Sequence, residues 1–114
     1  MEVQSKELKI YLTLQGKSPF EKWLNSIKDK KTQAVIDNGL RRVRLGNLGN
    51  CKPVGGGVFE LKIDYGSGYR IYFGQIGTTI ILLLCGGDKS TQKKDINKAQ
   101  EYWQDYANRE NKNQ

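Results

Sequence analysis

No histidine occurs among the 114 residues. The usual acid–base group near neutral pH and the commonest zinc ligand are therefore both missing. Only two cysteines are present. Cys51 follows an Asn/Gly-rich turn and Cys85 ends an aliphatic run, so neither has metal-ligand spacing. Two reduced thiols in a reducing compartment are the expectation, and no metal site. Long apolar runs are missing as well. The longest, Ile80–Cys85, is far too short to span a bilayer. Met1–Lys9 lacks the apolar stretch of a signal peptide, so the chain is expected to be cytoplasmic. No repeat or linker-like stretch divides it, and residues 1–114 are expected to form a single domain. Acidic residues are outnumbered, 12 against 19 basic, leaving a net charge of +7. Such an excess favours polyanionic partners: nucleic acid, a ribosomal surface or an acidic protein.

What is present reads as a small globular chain, 37% hydrophobic and 27% charged, neither disordered nor membrane-embedded. Leu8, Ile10, Leu12 and Leu14 alternate with polar residues over Lys6–Leu14, a strand signal. Ser18, Pro19 and Glu21 form a helix start with a capping box. Phe20, Trp23, Leu24 and Ile27 then make one apolar stripe. Asp29 caps a second helix running to about Leu45, with Val35, Ile36, Leu40 and Val43 on its buried side and Gly46 as its stop. The two helices read as an αα-hairpin.

From Gly46 to Gly57 the chain is rich in Gly and Asn, and a flexible approach to the sheet is expected there. Three strands follow. Phe59, Leu61, Ile63 and Tyr65 alternate with Glu60, Lys62 and Asp64; Tyr69, Ile71 and Phe73 alternate with Arg70 and Tyr72. Thr78–Cys85 is apolar on both faces, as a central strand would be. Ser90 or Thr91 caps a last helix with Ile96, Ala99, Trp103 and Tyr106 on its apolar side, fraying over 108–114. The order βααβββα means an α+β fold: a small, mostly antiparallel sheet, the αα-hairpin packed on one face, and a C-terminal helix.

Period two puts Glu60, Lys62, Arg70 and Tyr72 together on the sheet face away from the first two helices. Gly86-Gly87-Asp88-Lys89 follows the last strand, directly before a helix N-terminus that could receive a phosphate. A carboxylate, a guanidinium, ammonium groups and a phenol around such a loop could cut RNA. The ribose 2′-hydroxyl needs a base, and the charge on phosphorus needs cations. An ordinary solvated sheet face shows the same alternation, and Gly86-Gly87 is also an ordinary strand exit. Spacing alone leaves these readings open.

The segment VFELKIDYGSGYRIYF (Val58–Phe73), with LLLCGGDKSTQKKDINKAQEYW (Leu82–Trp103), resembles the RelE/HigB-like toxins of the RelE/ParE superfamily. It is most similar to the branch of phage-derived and addiction-module killer proteins. The resemblance covers nearly the whole chain. It implies a type II toxin that acts as an mRNA interferase, an endoribonuclease that cuts translated message on the ribosome without metal or cofactor. It also implies a cognate antitoxin, of the helix-turn-helix kind, that silences it. Arg70 falls on the family arginine that contacts the scissile phosphate, Lys62 on a lysine of the active strand, and Lys89 near the basic residue after the last core strand. Glu60 stands where a second lysine is usual, and some relatives use a carboxylate as base. The implied catalytic set is Glu60, Lys62, Arg70 and Lys89, with Glu60 or Lys62 as base. The C-terminal catalytic tyrosine or histidine of several relatives has no counterpart, although Tyr102 lies on the last helix. Arg41, Arg42 and Arg44 on the second helix, with Lys93, Lys94 and Lys98 on the third, are the expected ribosome- and RNA-docking residues. A plain solvated helix face is the simpler explanation of any single one of them. Two rivals share the architecture: a ParE-like toxin that binds DNA gyrase, and a non-toxic nucleic-acid-binding module.

Overall fold

The computed structural model describes residues 5–112. Strand β1 (Glu7–Ile10) is followed by helices α1 (Pro19–Ser26) and α2 (Lys30–Arg44). Strands β2 (Cys51–Gly55), β3 (Val58–Ile63), β4 (Tyr69–Ile76) and β5 (Ile80–Asp88) follow, then a 3-10 turn (Lys89–Thr91) and helix α3 (Gln92–Lys112). The five strands form one sheet in the order β1-β5-β4-β3-β2. β2 to β5 run as an antiparallel meander, while β1 joins β5 in parallel. The α+β reading holds, with one more strand than periodicity indicates.

Local signals account for most elements. Ser18 Oγ accepts from the Glu21 N–H at 3.0 Å, and Asp29 Oδ2 from the Thr32 N–H at 3.2 Å, so both helices begin at the expected caps. α3 starts just after Ser90 and Thr91. It is helical to Lys112; residues 113 and 114 lie outside the described set. β1 is shorter than expected. Leu12 and Leu14 lie past its end and are exposed, while Tyr11, between the supposed inward positions, is the residue buried there. β2 replaces the expected loop. Its pairing with β3 sets Cys51 against Leu61 and Lys52 against Glu60. Pro53 and the flanking glycines hide this strand from propensity, but an edge strand tolerates a proline because one side of it needs no ladder donor.

The sheet is covered on both faces. α1 and α2 bury Phe20, Ile36 and Val43 against Leu61, Ile63, Ile71, Phe73, Ile81 and Leu83. α3 buries Ala99, with Ile96, Trp103 and Tyr106 packed alongside, against Val58, Tyr72, Leu82, Leu84 and Cys85. Each large apolar side chain taken fully out of water contributes about 1.5–3 kcal/mol before entropy is counted. A bulge opposite Tyr72 and Phe73 puts an extra residue into β5. It reverses the alternation there, so that Cys85 faces α3 and Gly86 faces α1. Both indoles lie flat against strand glycines. A Cβ on Gly86 would come within 2.3 Å of Trp23, and one on Gly74 within 2.2 Å of Trp103.

The C-terminal half of α3 is tied to the segment after β1. Tyr11 donates to Asp105 Oδ2 at 2.6 Å, and Arg109 pairs with the same oxygen at 2.8 Å. Arg109 also donates to the Leu12 carbonyl and sits over the Tyr11 ring, 5.4 Å from its centroid. Burial, then the bond to Asp105, pushes the Tyr11 hydroxyl from 10.0 up to about 12. Burial likewise raises the thiols of Cys51, from 9.0 to about 11, and Cys85, from 9.0 to about 12. In each case the folded chain holds the proton more tightly than the unfolded one. The stabilisation is therefore complete below pH 9 and is lost as pH rises through 12. Denaturant midpoints should fall steadily across that window. Tyr11→Phe should cost about 1.5–3 kcal/mol at neutral pH, the worth of a hydrogen bond to a charged group, and should flatten the fall between pH 10 and 12.

Candidate active site

Glu60 on β3 and Arg70 on β4 lie on the sheet face opposite α1 and α2, as period two requires. In the register of the hairpin Glu60 stands across from Tyr72, and Lys62 across from Arg70. Of the readings that spacing left open, the plain solvated face does not hold for this pair. α3 packs over it, leaving Glu60 1% and Arg70 6% exposed. Arg70 Nε approaches Glu60 Oε2 at 3.7 Å, too far for a hydrogen bond. The Arg70 fork is instead anchored elsewhere, Nη1 donating to the Gly68 carbonyl at 2.8 Å. Glu60 Oε2 accepts from Gln92 Nε2, on the first turn of α3, at 2.9 Å.

Three polar atoms remain buried here without hydrogen-bond partners: Glu60 Oε1, Arg70 Nε and the Tyr72 hydroxyl. A buried polar group left unsatisfied costs about 1–3 kcal/mol, so such a cluster is not what stability alone would retain. Burial, reinforced by the negative charge of Glu60, holds the Tyr72 hydroxyl well above the ordinary phenol range. It stays protonated. Lys52 Nζ, carried in from β2, lies 3.9 Å from Glu60 Oε1. Glu60, Lys52, Lys62 and Asn50 share the wall of a hollow of about 250 Å³ at this edge of the sheet. Lys62 is half exposed and pairs with Asp64 at 3.4 Å.

The expected phosphate loop is built differently. Gly86 and Gly87 belong to β5 and pair with Ile71 and Arg70, so they form neither a strand exit nor a free cradle. Asp95 packs directly on Gly87, where a Cβ would fall 1.8 Å from its carboxylate. The Asp88 carboxylate caps the 3-10 turn, accepting from the Ser90 N–H at 2.9 Å and from its hydroxyl at 2.5 Å. Those bonds hold its carboxyl below the usual carboxylate range. An anion thus already occupies the junction. Lys89 is exposed on the turn, its Cβ 3.7 Å from where a Cβ on Gly68 would lie, beside the carbonyl that anchors Arg70.

The fold brings Glu60 and Arg70 together and sets Lys62 and Lys89 at the margins of the pair. It separates the two basic helices. Arg41, Arg42 and Arg44 are exposed on α2, and Lys93, Lys94 and Lys98 are exposed on α3, on opposite faces of the sheet. Arg42 shares a cleft of about 480 Å³ with Lys62, Asn38 and Asn50, so this arginine borders the site. The α3 lysines line a separate hollow of about 510 Å³ with Ser90 and Glu101. Tyr102 stacks on Tyr11, their centroids 5.2 Å apart, and serves the core. Sequence reasoning missed Lys52 and Gln92. Lys52 was hidden with its strand; Gln92 lies within the run Gln92-Lys93-Lys94-Asp95, but nothing local to it points at Glu60.

Among the described residues no helix is long and apolar enough to cross a membrane, and no three or more Cys, Asp or Glu side chains are grouped to hold a metal ion. The family model described as phage-derived protein Gp49-like (DUF891) matches residues 22–104, which include every site residue named above. An uncharacterized protein of Haemophilus influenzae is 44% identical over 90 residues, spanning 77% of this chain and 91% of that relative. The chain belongs to the Gp49-like family of phage-derived proteins.

Proposed function

We propose that this chain is the toxin of a type II toxin–antitoxin pair of the RelE/HigB kind and that it cleaves ribosome-bound message. The observation that supports this most is the buried Glu60–Arg70 pair, with Oε1 and Nε unsatisfied beside a hollow lined by Lys52 and Lys62. A structural ion pair would be expected to close its hydrogen bonds; this one holds donor and acceptor capacity in reserve. In the reaction Glu60, with Lys62 as the alternative base, takes the proton of the ribose 2′-hydroxyl while that oxygen attacks phosphorus. The bond from phosphorus to the 5′-oxygen breaks, and the departing oxygen takes a proton from water. Arg70 and Lys89 stabilise the charge that builds on the phosphoryl oxygens. The products are a 2′,3′-cyclic phosphate and a 5′-hydroxyl.

The cover that α3 lays over the pair fits an enzyme with little activity on free RNA. Arg42, with Arg41 and Arg44, and separately Lys93, Lys94 and Lys98, supply the docking charge. The partner is a helix-turn-helix antitoxin whose acidic segment complements these surfaces.

Inducible expression in a bacterial host, with primer extension on a reporter message and a DNA-damage reporter read in parallel, tests the reading. Growth arrest with in-frame cuts and a silent damage response is the expected result. Arrest with a damage response and no cuts would put a gyrase-binding toxin in its place, and harmless expression would support the non-toxic binding module. Ribosome binding should also weaken roughly a thousandfold between about 50 and 200 mM salt if half a dozen phosphates are neutralised. A flat salt response would remove these basic residues from the docking surface.

A further inference from the structure

The geometry points to Gln92 as a positioning residue that gives the two oxygens of Glu60 different tasks, Oε2 being held and Oε1 left to take the proton. This rests on the nuclease reading above. Four observations meet at one carboxylate. Oε2 accepts the Gln92 amide at 2.9 Å. The same oxygen is the one nearest Arg70 Nε, at 3.7 Å. Oε1 has no hydrogen-bond partner although it is fully buried. Oε1 is also the oxygen that Lys52 approaches, at 3.9 Å, from the wall of the hollow that Glu60 lines.

A carboxylate on a strand turns about its last torsion with little resistance, because that torsion is broad and roughly two-fold. Without a fixed donor on one oxygen, either oxygen could face the hollow, and the carboxylate could swing toward Arg70 and close the ion pair. Gln92 prevents both. Its amide cannot ionise, so it holds Oε2 without adding charge. Two-thirds exposed, the Lys52 side chain shields Oε1 and can turn toward an incoming phosphate without leaving a buried cation behind. The 2′-hydroxyl then reaches Oε1 from the hollow, between Lys52 and Lys62, and not from beneath α3. Lys52 thereby joins the substrate-facing residues, and Gln92 acts only through Glu60. The charged and titratable groups facing Glu60 are Lys52 from β2 and Arg70 and Tyr72 from β4, and Asp95 from α3 acts on the same Tyr72 hydroxyl.

The test is cleavage by the purified protein on message-programmed ribosomes, with kcat and KM measured for wild type, Gln92→Leu and Gln92→Glu. Gln92→Leu should lower kcat about ten- to a hundredfold with KM unchanged, the rate equivalent of one hydrogen bond to a charged group. Gln92→Glu has the same shape but presents an acceptor and a second negative charge to Oε2. Its kcat should be lower still at neutral pH and recover toward wild type as pH falls and the two carboxyls share one proton. That recovery reports positioning even if the leucine variant folds poorly. A purely structural role would lower the thermal midpoint while leaving kcat and its pH profile as in wild type, and that outcome overturns the assignment. So does a loss confined to KM. If wild type makes no cuts, the nuclease reading falls and this inference falls with it. If wild type cuts and neither glutamine variant changes kcat, only the role of Gln92 is lost.

Discussion

Arg70→Ala should abolish growth arrest and lower message cleavage by about two to three orders of magnitude, the usual loss when one preorganised charge donor is removed from a transition state. Two features of this site make the loss large. Arg70 Nε is unpartnered, so once substrate displaces the cover over it, it can meet a phosphoryl oxygen without first breaking a hydrogen bond. The bond from Nη1 to the Gly68 carbonyl fixes the guanidinium plane before substrate arrives. The substitution also strips Glu60 of its nearest buried cation, which costs about 3–5 kcal/mol when a buried pair is broken from one side. Loss of fold and loss of chemistry must therefore be separated. Arg70→Lys keeps a positive charge in the same place but not the planar fork, and should stay folded by circular dichroism while losing most of its cleavage rate. Primer extension on a reporter message with both variants measures the effect. Full toxicity in a folded Arg70→Ala protein would take Arg70 out of the site.

On stability, a single added methyl group should have a large effect at Gly86. Gly86→Ala places a Cβ within 2.3 Å of the Trp23 ring, far inside contact distance, on a stretch of β5 that is paired with β4 through Ile71 and has α3 packed behind it. β5 cannot retreat, so the indole must move, and α1 moves with it. Overpacking of this kind costs about 1–3 kcal/mol, equivalent to a fall of roughly 5–15 °C in the thermal midpoint of a domain this size. The cost should shrink when Trp23 is also shortened to leucine, because the clash then has room to relax. A double-mutant cycle followed by thermal denaturation measures that coupling. Additive effects would show that the ring and the glycine do not determine each other's position. Gly16 offers a contrast, since a Cβ there would have nothing within 4 Å. Any cost of Gly16→Ala should come from its positive φ of 79° alone.

These effects differ in how far the sequence alone announces them. The caps at Ser18 and Asp29 and the apolar stripes of the helices depend on residues three or four apart, so they can be read before any fold is known. The alternation through β3 and β4 is local in the same way. It assigned Glu60, Lys62, Arg70 and Tyr72 to one face, and that assignment holds. What covers that face is not a local property. α3 begins more than twenty residues beyond both Glu60 and Arg70, and only its docking makes them a buried pair. The same long-range packing brings the Gln92 amide to Glu60. β2 escaped notice because Pro53 and its glycines carry a loop signature, while pairing with β3 supplies the hydrogen bonds that define it. Gly86 and Gly87 likewise read as a turn until Trp23 and Asp95 are seen to fill the space that side chains there would need. The sequence by itself thus determined the elements, their polar faces and the positive charge, because these follow from neighbouring residues and composition. The tertiary structure decided burial, the partners of Glu60 and the separation of the basic helices, because those depend on which distant surfaces exclude water together.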